Sequence, residues 1–136
     1  MRLLAGREHS RSELIAKLAR RGFGAEELKP VLEDLVERGL QSDARFAEQF
    51  VAARVRRGSG PLRIRAELRR RGVAEELIAR ELESDPEVWL ERLRAVHERK
   101  FGTAPPGDRK DLARRIRFLE SRGFNGELIQ RLLRER

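Results

Sequence analysis

The chain has 136 residues, of which 31 are Lys or Arg and 23 are Asp or Glu, so it carries a net charge of +8 at pH 7. It contains no cysteine, which excludes disulfide bonds and thiol chemistry, and aromatic residues make up only 5%, too few for a platform that stacks single-stranded nucleic acid. Charged residues make up 40% and strand-forming patterns are scarce, so the composition predicts an all-α protein that binds acidic partners.

No apolar stretch reaches the ~18 residues that a membrane span needs, and the first ten residues lack the pattern of a signal peptide. The length suits one compact domain or a series of small repeats. We expect a cytoplasmic, monomeric protein without membrane contact.

A capping box opens the first predicted helix. Ser10 and Glu13 have the S-x-x-E spacing in which each side chain accepts a hydrogen bond from the other residue's backbone N–H. Apolar residues then recur with helical spacing, at Leu14, Ile15, Leu18 and Ala19. Gly22 follows, and a glycine just after the last apolar residue is typical of a helix end.

Two more helices are predicted before the middle of the chain. The second has apolar residues at positions i, i+3, i+4, i+7 and i+8, namely Leu28, Val31, Leu32, Leu35 and Val36. Gly39 closes this helix, and Pro30 is expected either to delay its start or to loosen its first turns. The third helix follows Ser42 and Asp43, which are good N-cap residues. Its apolar face comprises Phe46, Ala47, Phe50 and Val51.

A strongly basic stretch runs from Arg54 to Gly72. It holds eight arginines against a single acid, Glu67. The eight candidate binding residues are Arg54, Arg56, Arg57, Arg63, Arg65, Arg69, Arg70 and Arg71. A surface with so many charges of one sign favours an acidic partner.

The fourth predicted helix begins within this stretch, at Pro61, which suits the first position of a helix. Ile64 and Leu68 fall on one side of it, so Arg63 and Arg70 lie on the opposite side. Guanidinium groups match phosphate and carboxylate oxygens, which makes an anion-binding helix one interpretation. A solvated helix face is the alternative.

The same pattern returns twice along the chain. Gly22, Gly72 and Gly123 each follow an arginine and precede an apolar residue, with spacings of 50 and 51 residues. Such a period predicts a helical repeat protein. We expect eight helices in about three tandem three-helix repeats, the last of which is incomplete with two helices. The predicted repeats are residues 1–58, 59–102 and 103–136.

No catalytic, metal or cofactor site is predicted, and we expect a protein that is not an enzyme. His9 and His97 are the only histidines, and neither has a partner at a recognised metal-ligand spacing. His97 is expected on the flank of a helix, while Trp89 is expected in the core. The core is also expected to hold Phe23, Phe46, Phe50 and Phe124. The sequence has neither a phosphate-binding glycine motif nor a nucleophile elbow.

Four segments resemble the RecX family of bacterial proteins, which modulate the recombinase RecA. They are E-H-S-R-S-E-L from Glu8, R-R-G-F from Arg20, E-R-G-L-Q-S-D-A-R-F-A-E-Q-F-V from Glu37 and G-S-G-P-L-R-I-R-A-E-L-R-R-R-G-V from Gly58. The resemblance is dense from about Leu3 to Leu82. It implies three tandem repeats in an elongated curved body that binds the RecA–DNA filament, usually inhibiting it, in DNA repair, recombination and the SOS response. It also implies that the central arginines contact the filament or its DNA.

A second hypothesis stays open beside this one. Short three-helix units can present a recognition helix to the major groove, so the chain could be a sequence-specific DNA-binding protein. The two hypotheses differ in the DNA binding they predict. Arginines that mainly neutralise phosphates predict weak, non-specific and salt-dependent binding.

Overall fold

The computed structural model describes residues 8–39 and 41–135. Within these ranges it contains eight α-helices and no strand, which confirms the predicted all-α class. The helices are α1 (Arg11–Arg20), α2 (Ala25–Glu37), α3 (Asp43–Arg56), α4 (Pro61–Arg70), α5 (Glu75–Leu82), α6 (Pro86–Phe101), α7 (Arg109–Ser121) and α8 (Gly126–Arg134). The predicted repeats also include residues 1–7, Leu40 and Arg136, which lie outside the described ranges.

Local signals explain where the first two helices begin. At α1, Ser10 Oγ accepts a hydrogen bond from the Glu13 N–H at 3.1 Å, and Glu13 Oε1 accepts one from the Ser10 N–H at 3.2 Å. These two bonds confirm the predicted capping box. α2 begins at Ala25 and continues through Pro30, so the expected late start is wrong. Pro30 removes one intrahelical hydrogen bond, and the burial of three leucines from the same helix offsets that loss.

The three glycine turns share one backbone geometry. Gly22, Gly72 and Gly123 have φ angles of 96°, 80° and 103°, a region in which a side chain is strained. In each turn the residue after the glycine donates its N–H to the carbonyl five residues earlier, at 3.2, 3.1 and 3.3 Å. The glycine itself donates to the carbonyl three residues earlier, at 3.1, 3.0 and 3.0 Å. Each turn is therefore a Schellman motif, which confirms that the three glycines are equivalent.

The chain packs as two compact units, and the first comprises Met1–Val51 and Glu67–Glu81. Part of its core is a cluster of leucines from α1 and α2: Leu14, Leu18, Leu28, Leu32 and Leu35. Ile15 and Val36 belong to the same predicted stripes but are 37% and 48% exposed, because each helix buries only one narrow side. Phe23 is 37% exposed, so its predicted place in the core is wrong.

The second unit comprises Ala52–Ala66 and Leu82–Arg136. Apolar residues from its last three helices are buried: Trp89, Leu90, Leu93, Leu119, Ile129 and Leu132. Trp89 is only 6% exposed, and its Nε1–H donates to the Leu82 carbonyl at 3.1 Å. The indole thus fills the core with its one polar group satisfied, which confirms the prediction for this residue.

Two ionisable side chains, those of His97 and Arg115, are also buried in the second unit. His97 is 0% exposed and lies one turn after Leu93 on the buried side of α6, so its predicted position on a helix flank is wrong. Arg115 is 5% exposed, and its Nη1 lies 3.3 Å from His97 Nε2. The same guanidinium donates to the Ala104 carbonyl at 2.8 Å and pairs with Asp111 at 3.1 Å. These bonds compensate for the desolvation of Arg115 and tie the segment before α7 to this helix.

Candidate functional site

A tight turn leads from α3 into α4 and places the basic residues on either side of it. Gly58 has a φ of 87°, its N–H donates to the Val55 carbonyl at 3.0 Å, and the Ser59 N–H donates to the Arg54 carbonyl at 3.0 Å. This fourth Schellman motif ends α3. Pro61 is the first residue of α4, as predicted.

α4 has one buried side and one exposed side. Ile64 and Leu68 are both fully buried, while Arg63 and Arg70 are exposed. Burial of each aliphatic side chain contributes about 1.5–3 kcal/mol, which is enough to set the rotation of a ten-residue helix. The predicted orientation is confirmed, so α4 directs guanidinium groups outward.

The eight candidate arginines differ in their exposure. Five are exposed: Arg56, Arg57, Arg63, Arg69 and Arg70. Three are half-buried: Arg54, Arg65 and Arg71. A basic residue that contacts a large partner must keep its guanidinium group accessible, and the five exposed residues meet that condition.

Arg69 and Arg71 pair with carboxylates of the chain. Arg69 forms an ion pair with Glu75, and the hydrogen bond from Arg69 to this carboxylate raises the pKa of Arg69 above its ordinary value. Arg71 pairs with Glu13 at 2.6 Å and lies over the Phe50 ring, 4.9 Å from its centre. Both arginines stabilise local structure, so an external anion would compete with Glu75 or Glu13 for them.

Four of the eight have no such partner. Arg56, Arg57, Arg65 and Arg70 form no ion pair with any carboxylate in the part of the chain that the structure describes. Their positive charge is therefore available to a ligand. Guanidinium groups of this kind bind phosphate or carboxylate oxygens through paired hydrogen bonds.

The second unit contains a cavity of about 120 Å³ in which other basic residues lie near Arg57. It is lined by Arg57, Gly58, Val96, Arg99, Lys100, Phe118 and Arg122. Lys100 Nζ and Arg122 Cζ lie 5.3 and 5.2 Å from the centre of the Phe118 ring. Arg122 Nη1 also donates to the Arg57 carbonyl at 3.4 Å. Among the described residues, the lining thus contains four cations and no acid.

Sequence reasoning missed three of these four cations. Arg99, Lys100 and Arg122 lie 42, 43 and 65 residues after Arg57, so nothing in the local pattern joins them to the basic stretch. The one signal that could have found them is the position of Arg99, Lys100 and Arg122 in or just after the last turn of a helix, where cations are favoured.

The chemistry of these surfaces is charge neutralisation. Among residues 8–39 and 41–135 no cluster of three His, Asp or Glu side chains could hold a metal ion. In the same ranges, each helix is too short or too polar to cross a bilayer. The predictions that the chain binds no cofactor and is not an enzyme stay predictions.

Three family models match successive parts of the chain. Residues 1–35 match the first three-helix domain of RecX, residues 42–82 the second and residues 87–133 the third. The chain is 51% identical over 130 residues to the regulatory protein RecX of Halorhodospira halophila, covering 96% of this chain and 81% of that protein. It is 46% identical over 134 residues to the regulatory protein RecX of Acidithiobacillus ferrooxidans, covering 98% and 85%.

Solved structures support the same architecture. The crystal structure of RecX from Lactobacillus salivarius matches with a TM-score of 0.82 at 19% identity, covering 98% of this chain and 88% of that one. A crystal structure of a regulatory protein RecX matches with a TM-score of 0.81 at 24% identity, covering 96% and 67%. Together with the three successive domain matches, these likenesses confirm the predicted tandem three-helix fold.

Proposed function

Because the chain belongs to the RecX family, we propose that it regulates the RecA recombinase by binding the RecA–DNA filament and restraining its activity. Relatives that share about half of its residues are named as regulatory proteins, and they align over nearly the whole chain. The filament carries DNA phosphates and acidic protein side chains, both of which suit a chain with a net charge of +8.

The observation that carries this proposal is that α3 and α4 each present an exposed arginine that forms no ion pair among the described residues. Arg56 and Arg70 are exposed in the last turn of their helices and form no ion pair among the described residues. The same helices bury apolar residues, Val51 in α3 and Leu68 in α4. A cation on a helix whose backbone is already ordered loses less conformational entropy when an anionic partner binds.

The experiment reverses two of these charges. Arg56→Glu/Arg70→Glu leaves both helix cores unchanged, so circular dichroism should report a wild-type helix content. In an assay of RecA ATPase activity on single-stranded DNA, we expect half-maximal inhibition to need at least tenfold more of the variant. Loss of two attractive contacts and gain of two repulsive ones easily supplies the roughly 1.4 kcal/mol that this factor represents.

The chain offers a matched control, Arg20→Glu/Arg80→Glu. Arg20 and Arg80 are exposed, lie in the last turns of α1 and α5, and form no ion pair among the described residues. Net charge falls by the same four units in both variants. If both variants lose inhibition equally, total charge rather than the α3–α4 region governs binding. If a folded Arg56→Glu/Arg70→Glu protein inhibits like the wild type, the proposed surface is wrong.

A further inference from the structure

In the first unit, the Gly72 turn packs against the start of α1. Ser10 Oγ donates to the Arg71 carbonyl at 2.8 Å. A Cβ on Gly72 would lie 2.6 Å from the Ser12 Cβ, so a larger residue does not fit there. The side chain of Arg71 reaches back to Glu13, 2.6 Å away. A cation from the glycine turn is thus neutralised by an acid in the first turn of the helix that it meets.

In the second unit, the Gly123 turn packs in the same way against the start of α4. The Gly60 N–H donates to the Arg122 carbonyl at 2.7 Å, and the Leu62 N–H donates to the Gly123 carbonyl at 3.0 Å. A Cβ on Gly123 would lie 2.5 Å from the Arg63 Cβ. Two pairs of residues are therefore equivalent in position: Ser10 corresponds to Gly60, and Arg71 to Arg122. The residue that meets the glycine differs, since it is Ser12 in the first unit and Arg63 in the second.

The charges of these two arrangements differ. Glu13 is the third residue of α1, and the third residue of α4 is Arg63. The acid that pairs with Arg71 in the first unit is thus replaced by a base at the equivalent position of the second unit. Arg122 instead contacts a carbonyl at 3.4 Å and the face of the Phe118 ring. The second unit lacks at this position the negative charge that the first unit has.

Other cations add to this imbalance. Arg57, Arg99 and Lys100 line the same cavity as Arg122, and no acid of residues 8–39 or 41–135 lines it. None of the four forms an ion pair with a carboxylate in the described ranges. Helix ends alone account for the presence of each cation, since the partial negative charge at the ends of α3, α6 and α7 favours them. Helix ends do not explain why these four cations line one cavity that could hold an anion.

We propose that this cavity, between Arg57, Arg99, Lys100 and Arg122, binds one phosphate group of a nucleic-acid backbone. A phosphate and a few water molecules fit within about 120 Å³, and the oxygens of a phosphate can accept hydrogen bonds from several guanidinium groups at once. The other side chains of the lining, Val96 and Phe118, are apolar and do not compete with a phosphate for the cations.

Neighbouring arginines favour a backbone phosphate over an acidic side chain. Five of the eight central arginines belong to the same unit as the cavity: Arg54, Arg56, Arg57, Arg63 and Arg65. Arg57 belongs to both groups. A nucleic acid carries a charge at every nucleotide, so one strand can occupy the cavity and continue along this basic stretch, whereas a single Asp or Glu occupies only one position.

The test measures binding of a fluorescently labelled oligothymidylate to the chain by anisotropy, with no recombinase present. Failure of this proposal therefore stays separate from failure of the proposed regulation of RecA. Arg99→Gln/Lys100→Gln removes two of the cavity's cations. The matched control, Arg109→Gln/Lys110→Gln, removes the same residue pair from the first turn of α7, which lies in the same unit. Circular dichroism verifies that both variants are folded.

We expect the cavity variant to bind at least fivefold more weakly at low salt, while the control changes by less than twofold. The slope of log K against log salt should fall by about 0.7 in magnitude, since one phosphate contact on a single strand is lost. Equal losses in the two variants would overturn the proposal. So would a hexaglutamate peptide that binds the wild type as tightly as the oligonucleotide and loses as much affinity in the cavity variant, because the cavity would then be a carboxylate site.

Inorganic phosphate provides a second measurement that does not depend on the rest of the basic stretch. In the wild type, phosphate should shift the backbone amide resonances of Gly58 and Arg122 in a saturable way, beyond the effect of sodium chloride at equal ionic strength. In Arg99→Gln/Lys100→Gln these shifts should be lost. Shifts that match those of sodium chloride, or that persist in the variant, would refute a phosphate site in this cavity.

Discussion

Replacement of Gly123 by alanine should destabilise the second unit far more than the same change at Gly22 destabilises the first. Both glycines occupy the same position of a Schellman motif, with φ angles of 103° and 96°. Alanine in this region costs about 1–2 kcal/mol at either site. Among the described residues nothing lies within 4 Å of a Cβ on Gly22. A Cβ on Gly123 would lie 2.5 Å from the Arg63 Cβ and 2.7 Å from its backbone nitrogen.

This difference in surroundings sets the expected magnitudes. The turn at Gly123 must move away from α4, which weakens the hydrogen bonds from Gly60 and Leu62 at about 1 kcal/mol each. Steric overpacking adds roughly 1 kcal/mol or more. We therefore expect Gly123→Ala to lower the free energy of unfolding by about 3–5 kcal/mol, against about 1–2 kcal/mol for Gly22→Ala.

Urea denaturation followed by circular dichroism at 222 nm measures both variants. Trp89 is the only tryptophan and is buried in the second unit, so its fluorescence reports separately on the unit that contains Gly123. If the two substitutions cost the same free energy, the close packing of the Gly123 turn on α4 contributes nothing to stability, and the argument from repeat packing is wrong.

Two further predictions concern pH and salt. Hydrogen bonds from Arg114 and from the Gly107 N–H lower the pKa of Asp111 to about 2, from 3.8, so this carboxylate stabilises the fold above about pH 4 and loses that effect as the pH falls through about 2. Asp111→Asn should flatten the pH dependence of stability in that window, and a carboxyl titration of Asp111 by NMR with a midpoint near 4 would contradict the assignment. DNA binding by the chain alone should be weak, indifferent to sequence, and reduced on the order of tenfold or more between low and physiological salt. Competition binding with duplexes of unrelated sequence measures this, and tight salt-insensitive binding to one sequence would instead support a sequence-specific DNA-binding protein.

Features that depend on neighbouring residues in the chain could be predicted from the sequence. The capping box at Ser10 and Glu13, the start of α4 at Pro61 and the glycine turns involve backbone groups within about six residues of one another. The inward orientation of Ile64 and Leu68 also follows from helical spacing alone. These local features form in the same way whatever packs against them, so the sequence predicts them directly.

The sequence could not predict how many residues of each apolar stripe are buried. Helical periodicity gives the direction of an apolar stripe, but a neighbouring helix decides how much of that stripe is covered. Ile15, Phe23 and Val36 therefore remain exposed although they fit the pattern. Conversely, His97 and Arg115 are buried although their polarity argues against it, because their bonds to each other and to Ala104 exist only once α6 and α7 have packed.

The sequence likewise predicts one part of the candidate site but not the other. A sequence pattern can find the basic stretch, because its arginines lie next to one another, but it cannot show that Glu13 and Glu75 already occupy two of them. Nor can it bring Arg122 to Arg57, since that contact requires the Gly123 turn to pack against α4. One further difference between the repeats becomes visible only when α1 and α4 are aligned residue by residue. Where α1 has the acid Glu13 as its third residue, α4 has Arg63, so the salt bridge between Glu13 and Arg71 has no equivalent between Arg63 and Arg122.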